Sequence, residues 1–502
     1  MATRMTMSMR RRAALWLSLG LALTLAGCAT PTQTLDADKP CGLDAATRQR
    51  VVTLVQALVD RGHAPGAVVD IRCQGQRWLE HSAGLADVAR AQAMRQDHLF
   101  RIYSMTKPIT SLAVLMLVDD GRIALDDPVA KHLPEFASAT VYSGEAAGVM
   151  KTEALRRPLT VRDLLRHSAG IPYQAPVQHP VLRRYVARGI DNGSGQKFVP
   201  SDGSAPVDSV AELSRRIASI PLLHQPGSQF TYGGATDVLG HLVERVSGQP
   251  LGTYFDQRLF VPLAMADTAF QVPAYKLDRL TAAYSAASQR PGDGGVLNGK
   301  DVADAGPSQF NLADDPRASV FGVARAIQFG GAGLVSSAAD YQRLLTLWLP
   351  RAPPVGPAGA RPLVSAPLLD EMTRNQLGPE ALSAASLGRQ GLGFGLGLAV
   401  FMNPELAPRA VPKGGSFWGG AASTFFWIDR QRGITGVLMT QVFGGDVAPY
   451  FTQLMEAVQE PSGKDCTNDS TTTAQTNAQT PALELVPWPQ RRQALGSFRA
   501  AL

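Results

Sequence analysis

Cysteine is scarce in this sequence, with four in 502 residues. A chain of this length can bury a large core, so it needs no disulfide staples to fold. Histidine is scarce as well: there are eight, and none stands in H-E-x-x-H or another ligand spacing. No metal and no cofactor is therefore expected. The nucleophile elbow G-x-S-x-G is missing, which leaves an α/β-hydrolase fold without support. The loop G-x-x-x-x-G-K-[ST] is missing too, which argues against a phosphate-binding loop of that type. Only 18% of residues are charged against 45% hydrophobic, the balance of a globular protein. No internal repeat is visible.

The charge that is present is unevenly placed. Arg4, Arg10, Arg11 and Arg12 precede the apolar stretch Ala13–Leu25, which is too short to span a bilayer comfortably and suits a signal peptide. Leu25-Ala26-Gly27-Cys28 then resembles a bacterial lipobox. On that reading residues 1–27 are removed, Cys28 is lipidated, and residues 28–43 form a tether. Ala29, in place of Asp, implies the outer membrane. The chain is thus expected in the bacterial cell envelope, facing the periplasm or the cell surface and held by its acyl chains. Loss of residues 1–27 removes four arginines and no acid, so net charge falls from +6 to +2. No nucleic-acid partner follows from so small a charge, and no protein partner is expected. An oxidising compartment allows one pair among Cys41, Cys73 and Cys466, leaving an odd thiol.

Apolar spacing predicts a helix over 43–61, strands over 66–73 and from Trp78, and an apolar helix over 104–120. Pro108 is tolerable in the first turn of that helix and Gly121 ends it. From about 121 to 330 the pattern is helical segments and long loops, with insertions at 141–157 and 188–208 and helices at 161–167 and 235–246. A helix at 338–349 follows. Strands return at Phe417, 424–428 and 434–440, and a helix at 449–458 closes the pattern. Residues 462–502, rich in Ser, Thr, Asn, Gln and Pro, read as a low-complexity tail. Strands from both ends must share one sheet. The expected fold is therefore α/β (α+β): a five-stranded antiparallel sheet flanked by helices, with an inserted, mostly helical lobe. The sheet-bearing lobe covers 44–120 and 330–461, the helical lobe 121–329, and the cleft between them is the natural binding site.

Two S-x-x-K pairs occur. Ser194/Lys197 lies in a Gly-rich loop with no helix to orient it. Ser104/Lys107, in F-R-I-Y-S-M-T-K-P-I-T, opens a helix, where i and i+3 share a face. A serine needs a base to take its proton, and lysine serves only if burial or a nearby cation favours its neutral form. On spacing alone the pair reads equally well as an N-cap serine and a surface lysine.

The longer stretch F-R-I-Y-S-M-T-K-P-I-T-S-L-A-V-L-M-L-V-D-D-G-R-I-A-L-D-D-P-V resembles the serine β-lactamase-like hydrolases. L-T-V-R-D-L-L-R-H-S-A-G-I at 159–171, Q-P-G-S-Q-F-T-Y-G-G-A-T-D-V-L-G-H-L-V-E-R-V-S-G at 225–248 and G-G-A-G-L-V-S-S-A-A-D-Y at 330–341 match in the same order. The resemblance runs over about residues 44–460 and is nearest to family VIII carboxylesterases. It implies a β-lactamase/penicillin-binding-protein-like fold, with Ser104 as nucleophile and Lys107 and Tyr232 moving its proton. The family motif Tyr-x-Asn or Tyr-x-Ser is Tyr232-Gly233-Gly234 here, so the side chain that would bind Lys107 or a substrate amide is missing. Trp418-Gly419-Gly420 stands in place of Lys-Thr-Gly. Lys413-Gly414-Gly415, five residues earlier, would face the other way along a strand. By resemblance, the N–H groups of Ser104 and Ala421 form the oxyanion hole. Trp418 offers an apolar wall and one N–H donor but no cation for a substrate carboxylate. Uncharged, short-chain esters are therefore the expected substrates, with acyl transfer to another alcohol as a further outcome. The alternatives are a class C-like β-lactamase or D-Ala-D-Ala carboxypeptidase, and a non-catalytic lipoprotein that binds envelope ligands. His167, in the matched L-L-R-H-S-A-G, is expected to be structural. The fold also implies that the first and last helices pack together. That would place Cys41 near the end of the 66–73 strand, where Cys73 lies, and near Cys466. A disulfide is expected with Cys41 as a member and Cys466, or else Cys73, as its partner.

Overall fold

The computed structural model describes residues 40–173, 179–190, 200–286, 310–324, 327–349, 362–384, 391–403 and 411–459. The expected signal peptide, Cys28, Ser194/Lys197, Cys466 and the expected tail at 462–502 lie outside the described residues.

The apolar run Gly66–Cys73 (β1) is buried almost throughout, as a central strand must be, and turns through Gln74-Gly75 into Gln76–Asp87 (β2). On its other edge β1 pairs antiparallel with Ile434–Met439, Val68 opposite Met439 and Cys73 opposite Ile434. Strands from the two ends of the chain thus meet in one sheet. The five expected strands are present, but among the described residues the sheet has eight. In chain order the rest are Gln92–Ala93 (β3), Leu392–Phe394 (β4), Ala399–Phe401 (β5), Ser416–Gly420 (β6) and Thr424–Asp429 (β7), with Ile434–Met439 as β8. The spatial order is β4-β5-β6-β7-β8-β1-β2-β3. The three additional strands, β3, β4 and β5, are two or three residues long and extend the sheet at both edges.

One sheet face is covered by the first and last helices, Ala45–Asp60 (α1) and Ala448–Gln459. Val51, Val55 and Leu58 pack there with Phe451, Leu454 and Val458. Arg432, in the turn before β8, donates to the carbonyls of Cys41 and Val458. The start of α1 and the end of the last helix therefore do sit together. The disulfide nevertheless joins Cys41 to Cys73, with a Cα–Cα separation of 5.9 Å, and not to Cys466. The 3-10 turn at Pro40–Gly42 brings Cys41 beside Cys73, the last residue of β1.

The other face is covered by Thr106–Asp119 (α2) and Ala338–Leu345. Every residue of α2 from Thr106 to Leu117 is buried. A helix apolar on all sides belongs inside a protein, and α2 lies between the sheet and the inserted lobe, in contact with Ala235–Ser247 (α3). The inserted lobe is less helical than expected: Thr140–Ala146 and Val149–Ala154 form a β-hairpin, and Ala283–Ala286 and Phe310–Asp314 pair as strands.

Candidate active site

Ser104 lies in the 3-10 turn Tyr103–Met105, directly before α2. The residue capping α2 is Met105, with no side-chain cap bond, so the reading of Ser104 as an N-cap does not hold. Tyr103 has φ 41, a left-handed conformation that costs a non-glycine residue on the order of 1 kcal/mol or more. Its ring is held edge-on by Phe321 and Phe443, at 6.2 and 5.4 Å between centroids.

Lys107 follows three residues on and is fully buried, not a surface lysine. Its Nζ lies 3.2 Å from Ser104 Oγ, 2.7 Å from Tyr173 Oη and 2.8 Å from the Gly331 carbonyl oxygen. The Gly331 contact depends on close approach. Gly330-Gly331 threads between α2 and α3, and a Cβ on Gly330 would come within 2.6 Å of the Thr236 carbonyl oxygen.

Tyr232 comes to the same place by a different contact. Lys107 Nζ sits over its ring, 4.7 Å from the centroid, a cation–π geometry. Among the described residues no hydrogen-bond partner is found for its hydroxyl. Tyr232 continues into an aromatic wall. Its ring is 5.4 Å from Trp418 and 4.8 Å from His167; Phe394 lies 5.2 Å from Trp418 and 5.1 Å from Phe230. His167 is buried and its ring nitrogens find no partner among the described residues. Burial, and then the charge of Lys107, push it well below the ordinary imidazole value, so it is neutral. Trp418 Nε1 is likewise a buried donor without a partner among the described residues.

Strand β6 brings Trp418-Gly419-Gly420 to Ser104. A Cβ on Gly420 would lie 2.3 Å from the Ile102 carbonyl oxygen, so only glycine lets the strand end press against the turn that carries Ser104. Ala421 follows directly and is exposed. Lys413 is exposed in the turn ahead of β6. Gly234 leaves room for a Cβ, whose nearest neighbours would be Ile217 Cδ1 at 3.6 Å and Asp237 Oδ2 at 3.8 Å.

The fold thus gathers Ser104, Lys107, Tyr232 and the Trp418–Gly420 strand end around one cleft. It also brings in residues that sequence reasoning missed: Tyr173, the Gly331 carbonyl, Asp237, Phe230 and Phe394. Tyr173 stands two residues beyond the matched segment ending at Ile171, and Gly331 lies inside another matched segment. Proximity to matched motifs is the one signal that could have pointed to them.

The family model described as Beta-lactamase matches residues 51–459. Esterase EstB of Burkholderia gladioli is 32% identical over 425 residues, 83% of this chain and 96% of that protein. The lovastatin esterase of Penicillium rubens is 27% identical over 402 residues, 77% of this chain and 90% of that protein. Among solved structures, EstCE1, titled a hydrolase with promiscuous acyltransferase activity, is 29% identical with a TM-score of 0.65, covering 82% of this chain and 98% of that one.

Proposed function

The chain belongs to the beta-lactamase family, and within it we propose a serine carboxylesterase for uncharged, short-chain esters that can also pass its acyl group to another alcohol. The observation that carries this is the 3.2 Å contact between Lys107 Nζ and Ser104 Oγ at the foot of an aromatic wall. Ser104 Oγ attacks the ester carbonyl as its proton passes to Lys107. The oxyanion is held by the N–H groups of Ser104 and Ala421, donors worth roughly 3 to 4 kcal/mol each in acyl-transfer enzymes. Collapse returns the proton to the leaving alkoxide, with Tyr232 assisting, and leaves an acyl group on Ser104. Water, or a second alcohol, repeats the steps in reverse order.

The substrate class follows from the walls. Tyr232, Trp418, Phe394 and Phe230 offer apolar surface and one indole N–H without a partner among the described residues, which suits a neutral acyl or alkoxy group. A carboxylate would need a cation, and Trp418 stands where the family motif carries one. The relatives named as esterases support the same reading.

We also propose that Cys28 carries the lipid anchor, placing the hydrolase in the cell envelope. Labelled palmitate entering the wild-type chain and not Cys28→Ser would bear this out; equal labelling would refute it.

The catalytic proposal is tested with the purified protein and Ser104→Ala on p-nitrophenyl butyrate and a chromogenic cephalosporin. Ester turnover abolished by Ser104→Ala, with little cephalosporin turnover, is expected. Ester turnover that survives Ser104→Ala refutes the mechanism. Efficient cephalosporin turnover refutes the ester preference.

A further inference from the structure

Lys107 does not only touch Ser104; it is held from behind. We infer that Tyr173 and Asp237 are positioning residues that supply what the bare Gly234 lacks, turning the Lys107 amine so that its lone pair faces Ser104. This rests on Ser104 and Lys107 being the nucleophile and its proton acceptor.

A neutral lysine amine has two N–H bonds and one lone pair. Besides Ser104 Oγ, two oxygens among the described residues lie within hydrogen-bond reach of Nζ: the Gly331 carbonyl at 2.8 Å and Tyr173 Oη at 2.7 Å. The carbonyl can only accept. If both oxygens receive an N–H, the lone pair is left for the Ser104 hydroxyl at 3.2 Å. Without Tyr173 the amine could rotate and donate to Ser104 instead, and an amine donating to the hydroxyl cannot take its proton.

Asp237 fixes the other acceptor. The Gly331 N–H donates to Asp237 Oδ1 at 2.9 Å, while the carbonyl of the same residue accepts from Lys107. Gly331 therefore links a buried carboxylate to the amine. Asp237 sits in the first turn of α3, its own N–H donating to the Gly234 carbonyl. It thus stands one turn beyond the position whose side chain is missing. The three groups converge tightly. A Cβ on Gly331 would lie 2.9 Å from Tyr173 Oη and 3.2 Å from each Asp237 carboxylate oxygen. Tyr173 also meets the Tyr232 ring edge-on, 5.6 Å between centroids, so it spaces the second phenol as well.

The proton balance is unchanged by this arrangement. The Ser104 O–H breaks as an N–H forms on Lys107, and that N–H later breaks to protonate the leaving alkoxide. Tyr173 and Asp237 exchange nothing; they set the direction in which the amine can act.

The test compares wild type, Tyr173→Phe, and 3-fluorotyrosine at position 173, which keeps the hydroxyl. The readouts are the rate at which a fluorophosphonate labels Ser104, kcat and KM on p-nitrophenyl butyrate, and the melting temperature. Tyr173→Phe is expected to label and turn over about 100-fold more slowly, with KM and melting temperature unchanged, and 3-fluorotyrosine to restore most of the rate. Labelling of Tyr173→Phe at the wild-type rate overturns the inference. So does a loss that tracks a fall in melting temperature and is not restored by 3-fluorotyrosine. Should Tyr173→Phe not fold, Asp237→Asn is used: slower labelling at unchanged KM supports the inference, and wild-type labelling overturns it. A wild-type protein whose Ser104 does not label at all refutes the nucleophile reading beneath the inference, and the two failures are thereby told apart.

Discussion

Lys107 Nζ faces the rings of both Tyr232 and Tyr173, 4.7 and 5.1 Å from their centroids, and the phenol oxygen it reaches belongs to Tyr173. The two tyrosines thus hold the same amine differently, both by a π-face but only Tyr173 by its oxygen. Their hydroxyls should therefore differ in what they contribute.

Removing the Tyr232 hydroxyl breaks no hydrogen bond seen among the described residues. Tyr232→Phe should leave the melting temperature within a degree or two of wild type. If the phenol moves protons to and from the leaving group, kcat should fall by about 10²-fold or more. Calorimetry and p-nitrophenyl butyrate kinetics on the one variant check both halves.

On the proposed function, the Trp418 wall beside Tyr232 should set which charge the cleft accepts. Trp418→Lys would put a cation at the end of β6, where Trp418 now packs against Tyr232 and Phe394. KM for a p-nitrophenyl ester bearing a free carboxylate should drop about tenfold, equivalent to about 1.4 kcal/mol. KM for the neutral butyrate should rise as apolar surface is lost. An unchanged preference would mean that Trp418 does not face the substrate.

Acid should weaken the fold through His167. Burial holds its folded form neutral, well below the ordinary imidazole value of 6.5. The unfolded chain therefore binds a proton that the folded chain refuses, and the stability this confers is present above about pH 6.5 and lost as pH falls below it. The slope approaches about 1.4 kcal/mol per pH unit for one such group. His63, His98 and His224 are lowered by burial as well and act in the same direction. Denaturant unfolding at pH 7.5 and 5.5 should show the loss, and His167→Phe should make it smaller.

The Cys41–Cys73 bond closes a loop with a sequence separation of 32. Replacing both residues with serine should cost about 3 to 4 kcal/mol of stability in the chain-entropy account. The bond belongs to the core on the α1 side of the sheet and Ser104 to the other side, so kcat at 25 °C should be unchanged. Peptide mapping without reductant should recover Cys41 joined to Cys73.

What the sequence reveals depends on how strongly burial marks it. The central strands and α2 are legible because their apolar residues are dense or recur at the right period. β4 and β5 are not, since three residues are too few to show a period, and the surrounding G-L-G-F-G-L-G-L reads as loop. The Thr140–Ala154 hairpin escapes notice for a different reason: most of it is exposed or half-exposed, so neither face is marked apolar. Ser104 and Lys107 can be found because one helical turn fixes their spacing. Tyr173 reaches Lys107, and Asp237 reaches it through Gly331, only by tertiary folding, from 66 and 130 positions away, and no local pattern records that. The cysteine pairing is hidden similarly, because Cys41 and Cys73 are 32 positions apart and only the path of the chain brings them together.

The burial of α2 has a consequence for how such a protein can change. Lys107 is rooted in a helix with no solvent-facing side from Thr106 to Leu117, so almost any alteration there disturbs the whole molecule. The cleft's apolar sides come instead from separate, partly exposed stretches around Phe230 and Trp418. Reactivity and selectivity are therefore inherited on different parts of the chain. Mutation can redraw the range of accepted acyl groups residue by residue while the step that breaks the bond stays fixed.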